Sequence, residues 1–154
     1  MICWKSTEQS IICKQFLLMK NILAFILIAI AFTSCKKTIE NAQEDALIQI
    51  MTSGQWSVTS FKKGSDDITT DFSGYKFQFK SNRTVDAIKN SLIEKTGTWE
   101  GNAFNRSIFS NFTNVVHPLL LLNGTFIITD SGLTYVEASQ TVNGEVRMLR
   151  LDKI

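Results

Sequence analysis

Residues 74–80, G-Y-K-F-Q-F-K, are the stretch that decides the fold. After the glycine, aromatic and polar side chains alternate without a break: Tyr75, Lys76, Phe77, Gln78, Phe79 and Lys80. A period of two places the aromatic residues on one face of an extended strand and the polar residues on the other. We therefore predict a strand that buries one face in a core and exposes the other to water.

Similar strand-like segments continue along the chain on both sides of this stretch. They are predicted at residues 56–61, 84–91, 95–100, 105–110, 124–129, 133–139 and 146–151. Turn-forming pairs separate them at hairpin spacing, for example at 81–82, 101–102, 131–132 and 143–144. About eight short strands with no helix between them favour an antiparallel up-and-down sheet. The fold class is therefore predicted to be all-β, an eight-stranded barrel, because closure removes exposed strand edges.

A short helix is predicted before the first strand. From Thr38 to Ser53 apolar residues recur at helical spacing, Thr38 is a suitable N-cap, and Gly54 is a natural stop. The polar face of this helix is acidic rather than basic, which does not suit a membrane surface. We expect the helix to lie against one end of the barrel.

The tripeptide Gly54-Gln55-Trp56 opens the first strand directly after this helix and resembles the G-x-W signature of lipocalins. In that family the tryptophan packs at the closed end of the barrel, beneath an arginine from near the last strand. The resemblance therefore implies a structural role for Gly54, Trp56 and either Arg147 or Arg150. We prefer Arg147 because it shares strand parity with Leu149.

The order of motifs also resembles the small lipocalin-like domains of Bacteroidota lipoproteins. The matching elements, over roughly residues 40–154, are a helix, G-x-W, F-x-F before an S-N-x-T turn, G-T-W at 97–99 and L-N-G-T-F at 122–126. The chain differs from true lipocalins in being shorter and in lacking disulfides. The resemblance implies a lipocalin-like barrel, with the barrel domain at residues 55–154.

Residues 22–32 contain no polar side chain. As a helix they span roughly 16 Å, which is too short to cross the roughly 30 Å core of a bilayer. Lys20 precedes them and the small residues Thr33 and Ser34 follow, as in a signal peptide. We predict a signal peptide that ends at residue 34 and a translation start at Met19. Residues 1–18 are then an upstream extension, and the alternative is a genuine long leader.

The stretch A-F-T-S-C at residues 31–35 resembles the lipobox of bacterial lipoproteins. In that class the cysteine is acylated and the signal peptide is cut just before it. The resemblance implies lipidation of Cys35, with residues 35–54 as tether and helix, and an envelope protein that we expect at the outer membrane. Two or more acyl chains give stable anchoring where one is marginal. The alternatives are an ordinary thiol after a secretory signal, or a crude anchor helix over residues 22–32.

The sequence offers little for catalysis. His117 is the only histidine, the pair Asp66 and Asp67 lies in a solvated loop, and no nucleophile motif or phosphate loop is present. We therefore predict no metal site, no cofactor and no enzyme, with a hydrolase built from two scattered carboxylates as the third choice. Residues 35–154 carry equal numbers of basic and acidic side chains, which argues against a nucleic-acid partner.

The aromatic side chains admit two interpretations. They line an apolar cup for a small hydrophobic ligand, or they fill the barrel; we favour core filling for so short a domain. The candidate ligand-binding residues are Tyr75, Phe77, Phe79, Trp99 and Tyr135. The predicted function is a lipid-anchored envelope protein that binds a small hydrophobic ligand. The alternative is a non-enzymatic interaction or envelope-assembly lipoprotein with a filled barrel.

Overall fold

The structure, a computed structural model, describes residues 42–154, which form one compact unit. Helix α1 runs through residues 42–52. Nine strands follow: β1 (Trp56–Lys63), β2 (Asp66–Asp67), β3 (Tyr75–Phe79), β4 (Thr84–Lys89), β5 (Leu92–Asn102), β6 (Ser107–Asn111), β7 (Gly124–Ser131), β8 (Tyr135–Val142) and β9 (Glu145–Lys153). Two short 3₁₀ helices lie in the longer connections, at Thr69–Phe72 and Leu119–Leu122.

Eight of these strands close into an antiparallel up-and-down barrel. Each strand from β3 to β9 pairs with the next, and β9 returns to β1 along a ladder that runs from Trp56–Lys153 to Lys63–Arg147. Strand β1 also meets β3 at the pair Trp56–Phe77, while the two-residue strand β2 only extends the far end of β1. The predicted eight-stranded barrel with a preceding helix is confirmed.

The barrel has two ends that are closed by different elements. At the end we call the helix end lie α1, the start of β1, the turns at 80–83, 103–106 and 132–134, and residues 153–154. At the other end, the loop end, lie the connections 64–74 and 112–123 and the tight turns at 90–91 and 143–144. Alternate strands run towards each end, so every connection falls at one of these two places.

Helix α1 packs on the helix end through its apolar face. Met51 is fully buried, and Leu47, Ile48 and Ile50 contact the core. A side chain at Gly101 of β5 would place its Cβ only 2.8 Å from Leu47, so the absence of a side chain there lets the helix approach the sheet. The expectation that the helix covers one end of the barrel agrees with this packing.

The core is built from the inward faces of the strands, as the alternation at residues 74–80 predicts. Tyr75, Phe77 and Phe79 are buried while Lys76 between them is exposed. Trp56, Phe61 and Trp99 are the largest side chains that are fully buried within residues 42–154. The two tryptophans lie at the helix end, where the strands that carry them begin or finish.

The calls on residues 1–41 lie outside the described residues. They are the upstream extension 1–18, the start at Met19, the signal peptide ending at residue 34, the lipidation of Cys35 and the N-cap Thr38. Within residues 42–154, α1 falls short of the length and apolar content needed to span a bilayer.

Candidate functional site

The tryptophan of the G-x-W tripeptide ties the helix to the barrel. The Trp56 indole N–H donates a hydrogen bond to the carbonyl of Met51 in the last turn of α1, at 2.9 Å. Burying this polar group is acceptable because it is satisfied. Lys153, its cross-strand partner in β9, places its ammonium 5.1 Å from the centre of the indole ring. The cation above Trp56 is therefore a lysine.

The structure corrects the expected role of Arg147. Arg147 faces Lys63 at the loop end of the ladder, six residues before Lys153 along β9. Its guanidinium approaches the carbonyl of Leu121 and the side chain of Gln140, at 3.5 and 3.3 Å. Arg150, the other candidate, pairs with Glu137 and Asp152. Arg147 shares strand parity with Leu149, but it lies at the opposite end of the barrel axis from Trp56.

Trp99 belongs to the wall of the helix end. Its indole N–H donates to the carbonyl of Lys80 at 2.9 Å, and its ring meets Phe79 edge to face with centroids 5.2 Å apart. The guanidinium of Arg83 lies 5.6 Å from the ring centre and is held there by Glu44 of α1 at 2.9 Å. Trp99 thus links β3, β5 and the helix.

Tyr75 and Phe77 stack with ring centroids 6.2 Å apart. The Tyr75 hydroxyl donates to both carboxylate oxygens of Glu94, each at 2.9 Å. Burial, and then the hydrogen bond to Glu94, raise the pKa of Tyr75 to about 12. The Tyr75 hydroxyl is therefore already engaged within the protein.

Tyr135, the last of the predicted ligand-binding residues, does not line the barrel interior. Its hydroxyl donates to Asp130 at 3.0 Å, and the Arg150 guanidinium lies 4.6 Å from its ring centre. The neighbouring Val136 is the residue that points inward and is buried. Of the predicted ligand set, the structure brings only Phe77 and Phe79 to the central cavity.

The cavity inside the barrel is small and apolar. Its volume is about 40 Å³, and Ser110 is the sole polar residue in its lining. The Ser110 hydroxyl already donates to the carbonyl of Leu122. Ligand pockets typically measure about 300–1,000 Å³. The interior is thus filled by apolar side chains of the barrel itself. From β3 to β9 these are Phe77, Phe79, Val85, Ile108, Phe112, Leu122, Phe126, Val136, Ala138, Leu149 and Leu151.

The loop end is closed by the connections 64–74 and 112–123. Phe72, Phe112, Leu119 and Leu122 are buried there. Asn123 fixes the second connection by accepting a hydrogen bond from the Phe112 N–H at 2.7 Å and donating to the Phe112 carbonyl at 2.9 Å. The run of four leucines at 119–122 was the available signal, since such a run is unusual for a solvated loop.

A side-chain hydrogen bond joins the two long connections at the surface of the loop end. The His117 imidazole lies 2.6 Å from the Asp71 carboxylate, forty-six residues earlier in the chain. Both side chains remain substantially exposed. His117 is therefore a turn histidine, as the sequence suggests, but one that holds two segments together.

The outer face of the barrel carries a shallow groove over β7, β8 and β9. Ile127, Ser139 and Met148 are directly paired across these strands, and the small Ser139 leaves a depression between two larger apolar side chains. Val146 lies beside Met148, and Ile127, Val146 and Met148 are each nearly half exposed. The groove encloses about 400 Å³.

Charged groups flank this groove. The Arg150 guanidinium is bonded to Glu137 at 2.6 Å and to Asp152 at 2.9 and 3.0 Å, which raises the pKa of Arg150 and lowers that of Asp152. Lys62 lies on the β1 side. The result is an apolar row beside fixed charges of both signs, a combination typical of protein interaction surfaces.

Asp86, the buried carboxylate among residues 42–154, is used within the fold. Asp86 is nearly fully buried on β4, where burial raises its pKa but hydrogen bonds from Lys80 and Thr96 outweigh this and hold the pKa below its usual range. Across residues 42–154, histidine, aspartate and glutamate side chains do not gather in a group of three suited to a metal ion.

Comparison with known proteins finds similarity at the level of structure. Neither a protein-family model nor a curated protein matches the chain. A DUF4847 family protein from Bacteroides vulgatus superimposes with a TM-score of 0.51 at 15% sequence identity, covering 69% of this chain and 96% of that one. At this identity the likeness concerns the fold alone.

Proposed function

We propose that this protein is a lipid-anchored envelope protein whose barrel acts as a non-enzymatic interaction module. The observation that carries the proposal is the contrast between a filled interior and an outer groove lined by Val146 and Met148, with the exposed Ile127 paired to Ser139 at its edge. A rigid, filled barrel is a suitable support for such a surface, because its strands fix the spacing of the side chains.

The anchor in this proposal is an acylated Cys35, supported by the apolar stretch 22–32 and the small residues before the cysteine. Growth with labelled palmitate tests it, with Cys35→Ser as the matched control. We expect label and outer-membrane fractionation in the wild type, and neither in the variant. Label that persists in Cys35→Ser would contradict acylation at this residue.

The partner proposed for the groove is a protein segment that presents apolar side chains. Such side chains would cover Ile127 and Met148, while Glu137, Arg150 and Lys62 would meet polar groups at the rim. Anchoring side chains at interfaces typically occupy well-packed, desolvated pockets near the centre of the contact. The small side chain of Ser139 at the floor of the groove leaves room for an apolar side chain of the partner.

Site-specific photo-crosslinking in the producing cells tests this surface. A benzophenone side chain at Ile127 or at Val146 should give the same adduct, and the adduct from either site should disappear when Met148 is changed to Glu. The matched control is the probe at Lys76, on the exposed outer face of β3. An adduct unaffected by Met148→Glu, or one equally strong from Lys76, would count against the groove.

A second candidate function is binding of a small hydrophobic ligand inside the barrel, favoured by the apolar lining of the cavity. Since about 40 Å³ does not hold a lipid chain, this function requires the loop end to open and side chains such as Phe112 to move. Native mass spectrometry of the protein extracted from its own cells distinguishes the two candidates. A co-purifying lipid-sized mass supports the ligand, and its absence supports the filled barrel.

A further inference from the structure

Three large apolar side chains project from the helix end into solvent. Phe104 in the turn between β5 and β6 is 74% exposed, Leu133 between β7 and β8 is 73% exposed, and Ile154 after β9 is 58% exposed. They come from three separate parts of the chain. Single exposed apolar residues are common, but three on one rim form an apolar surface on one side of the domain.

Backbone hydrogen bonds fix these tips along one half of the rim. The carbonyl of Arg106 accepts from the N–H of Ile128, which joins the Phe104 turn to β7. The carbonyl of Thr134 accepts from the N–H of Lys153 at 2.8 Å, which places Leu133 beside the last strand. Helix α1 covers the other half, through Met51 at Trp56 and Glu44 at Arg83.

The charges of the helix end are mostly matched. Arg83 pairs with Glu44, Lys80 with Asp86, and Asp152 with Arg150. The same end also carries Arg106 and Lys153, and the acidic residues Asp45, Glu100 and Asp130. A surface of this kind is not driven towards a membrane by net charge, so its apolar tips would have to supply the interaction.

The position of the proposed anchor decides which end of the barrel meets the bilayer. Cys35 precedes Ala42 by seven residues, which span at most about 25 Å even when fully extended. Glu44 in the first described turn of α1 contacts Arg83 at the helix end. The loop end also exposes apolar residues, such as Leu92 and Val116. It lies at the opposite ends of the strands, roughly 20–25 Å from the helix end.

We propose that Phe104, Leu133 and Ile154 insert into the lipid surface and make the helix end the membrane-facing side of the domain. This inference rests on the proposed acylation of Cys35. The tips dip into the headgroup region while the anchor holds the domain close, so a weak contact acts together with a stable anchor. The loop end then points away from the bilayer, and the outer groove is presented from the side.

Tryptophan quenching by brominated phospholipids tests the orientation in the acylated protein, which in this proposal begins at Cys35. Phe104→Trp and Leu133→Trp add an indole at the proposed contact, and Leu92→Trp and Val116→Trp add one at equally exposed positions of the loop end. The proteins are reconstituted into phosphatidylethanolamine–phosphatidylglycerol vesicles with brominated acyl chains. Trp56 and Trp99 are buried and give a constant background.

We expect about a twofold loss of the added emission for Phe104→Trp and Leu133→Trp, as for an indole ~5–10 Å into the interface, and no loss for the loop-end variants. The quenching should not depend on the phosphatidylglycerol fraction. Equal quenching at Leu92→Trp, or none at either helix-end site, overturns the inference. Intact-mass spectrometry of the same samples reports the acyl chains: acylated protein without quenching sinks this inference alone, whereas protein without acyl mass sinks the proposed anchor as well.

Discussion

The two ends of the barrel are closed by different physical means. At the helix end two buried tryptophans donate to backbone carbonyls, Trp56 to Met51 and Trp99 to Lys80. At the loop end two long connections fold inward and are held by Asn123 and by the pair His117–Asp71. Both ends bury apolar side chains, but the helix end is tied by the indoles of two core tryptophans and the loop end by polar links between segments distant in sequence.

This difference teaches where the domain is able to change. Removing buried aromatic area costs much of a small domain's stability, because the whole unit shares that core. Breaking a surface link between two connections costs little overall and allows local opening. We therefore expect variants of the helix end to unfold the barrel, and variants of the loop end to loosen it.

The largest effect is expected from Trp56→Ala. Trp56 is fully buried beneath α1, so the change opens a cavity at the helix end and leaves the Met51 carbonyl without its donor. The free energy of unfolding should fall by about 4 kcal/mol in urea titrations. Trp56→Phe keeps most of the packing and should cost about 1–2 kcal/mol. A loss below about 1 kcal/mol for Trp56→Ala would contradict the claim that its buried indole stabilises the helix end.

At the loop end, Asn123→Ala should have a smaller effect. The change leaves both backbone groups of Phe112, a buried residue, without their partner. We expect a loss of about 2 kcal/mol in the same titrations, while the emission of Trp56 and Trp99 keeps its native wavelength. Asn123→Asp retains the acceptor but loses the donor, so its effect should lie between wild type and Ala. If Asn123→Ala lowered the free energy of unfolding as much as Trp56→Ala, the proposed difference in stability between the two ends would be wrong.

Much of this architecture could be predicted from the sequence, and the reasons are local. The alternation at 74–80 identifies β3, and Gly54–Trp56 after a helical pattern identifies the start of the barrel. A period of two also gives the face on which Arg147 lies. It does not give the height along the axis, which depends on the pairing of Trp56 with Lys153.

Strand parity also explains why Tyr135 does not line the barrel interior. Tyr135 shares its parity with Glu137, and this charged neighbour indicates that the outward face contains the tyrosine. The links of Asn123 to Phe112 and of His117 to Asp71 join residues eleven and forty-six positions apart. Neither periodicity nor turn propensity contains such pairings, because they arise only once the barrel has brought the connections together.

A third prediction concerns the support beneath Trp99. Lys80, whose carbonyl receives the Trp99 indole, pairs its ammonium with the buried Asp86 at 2.5 Å. The pKa of Asp86 is lowered in the folded state, so its contribution is complete above the pKa of the unfolded chain, near 3.9, and is lost as the pH falls through the lower folded value. Asp86→Asn should cost about 1 kcal/mol at pH 7, and this cost should shrink as the pH falls below about 3.9.

Urea titrations of both proteins between pH 2 and 7 measure this difference directly. The variant keeps the size of the side chain and an oxygen that accepts from Thr96, so the charge is the main change. Thr96→Val provides the complementary control, because it removes the hydroxyl and keeps the ion pair with Lys80. A constant difference across this pH range would show that the carboxylate charge contributes nothing to the helix end.

The smallest expected effect, His117→Ala, gives the sharpest comparison of the two ends. The pair with Asp71 is exposed, so its loss should change the free energy of unfolding by no more than about 0.5 kcal/mol. Yet it is a direct link between the connections 64–74 and 112–123. Amide hydrogen exchange should therefore quicken around Phe112 and Leu122 while the amides of β1 and β9 keep their protection.

The matched control is His117→Gln, which retains a donor within reach of Asp71 and should restore slow exchange. Exchange that quickens equally in β1 would mean that the loop end opens only with the whole barrel. In that case the cavity beneath Leu122 would have no route to solvent short of unfolding, and the ligand-binding candidate would lose its entrance. Faster exchange confined to the loop end would instead show that a side-chain pair, and no change in the core, controls access to the barrel interior.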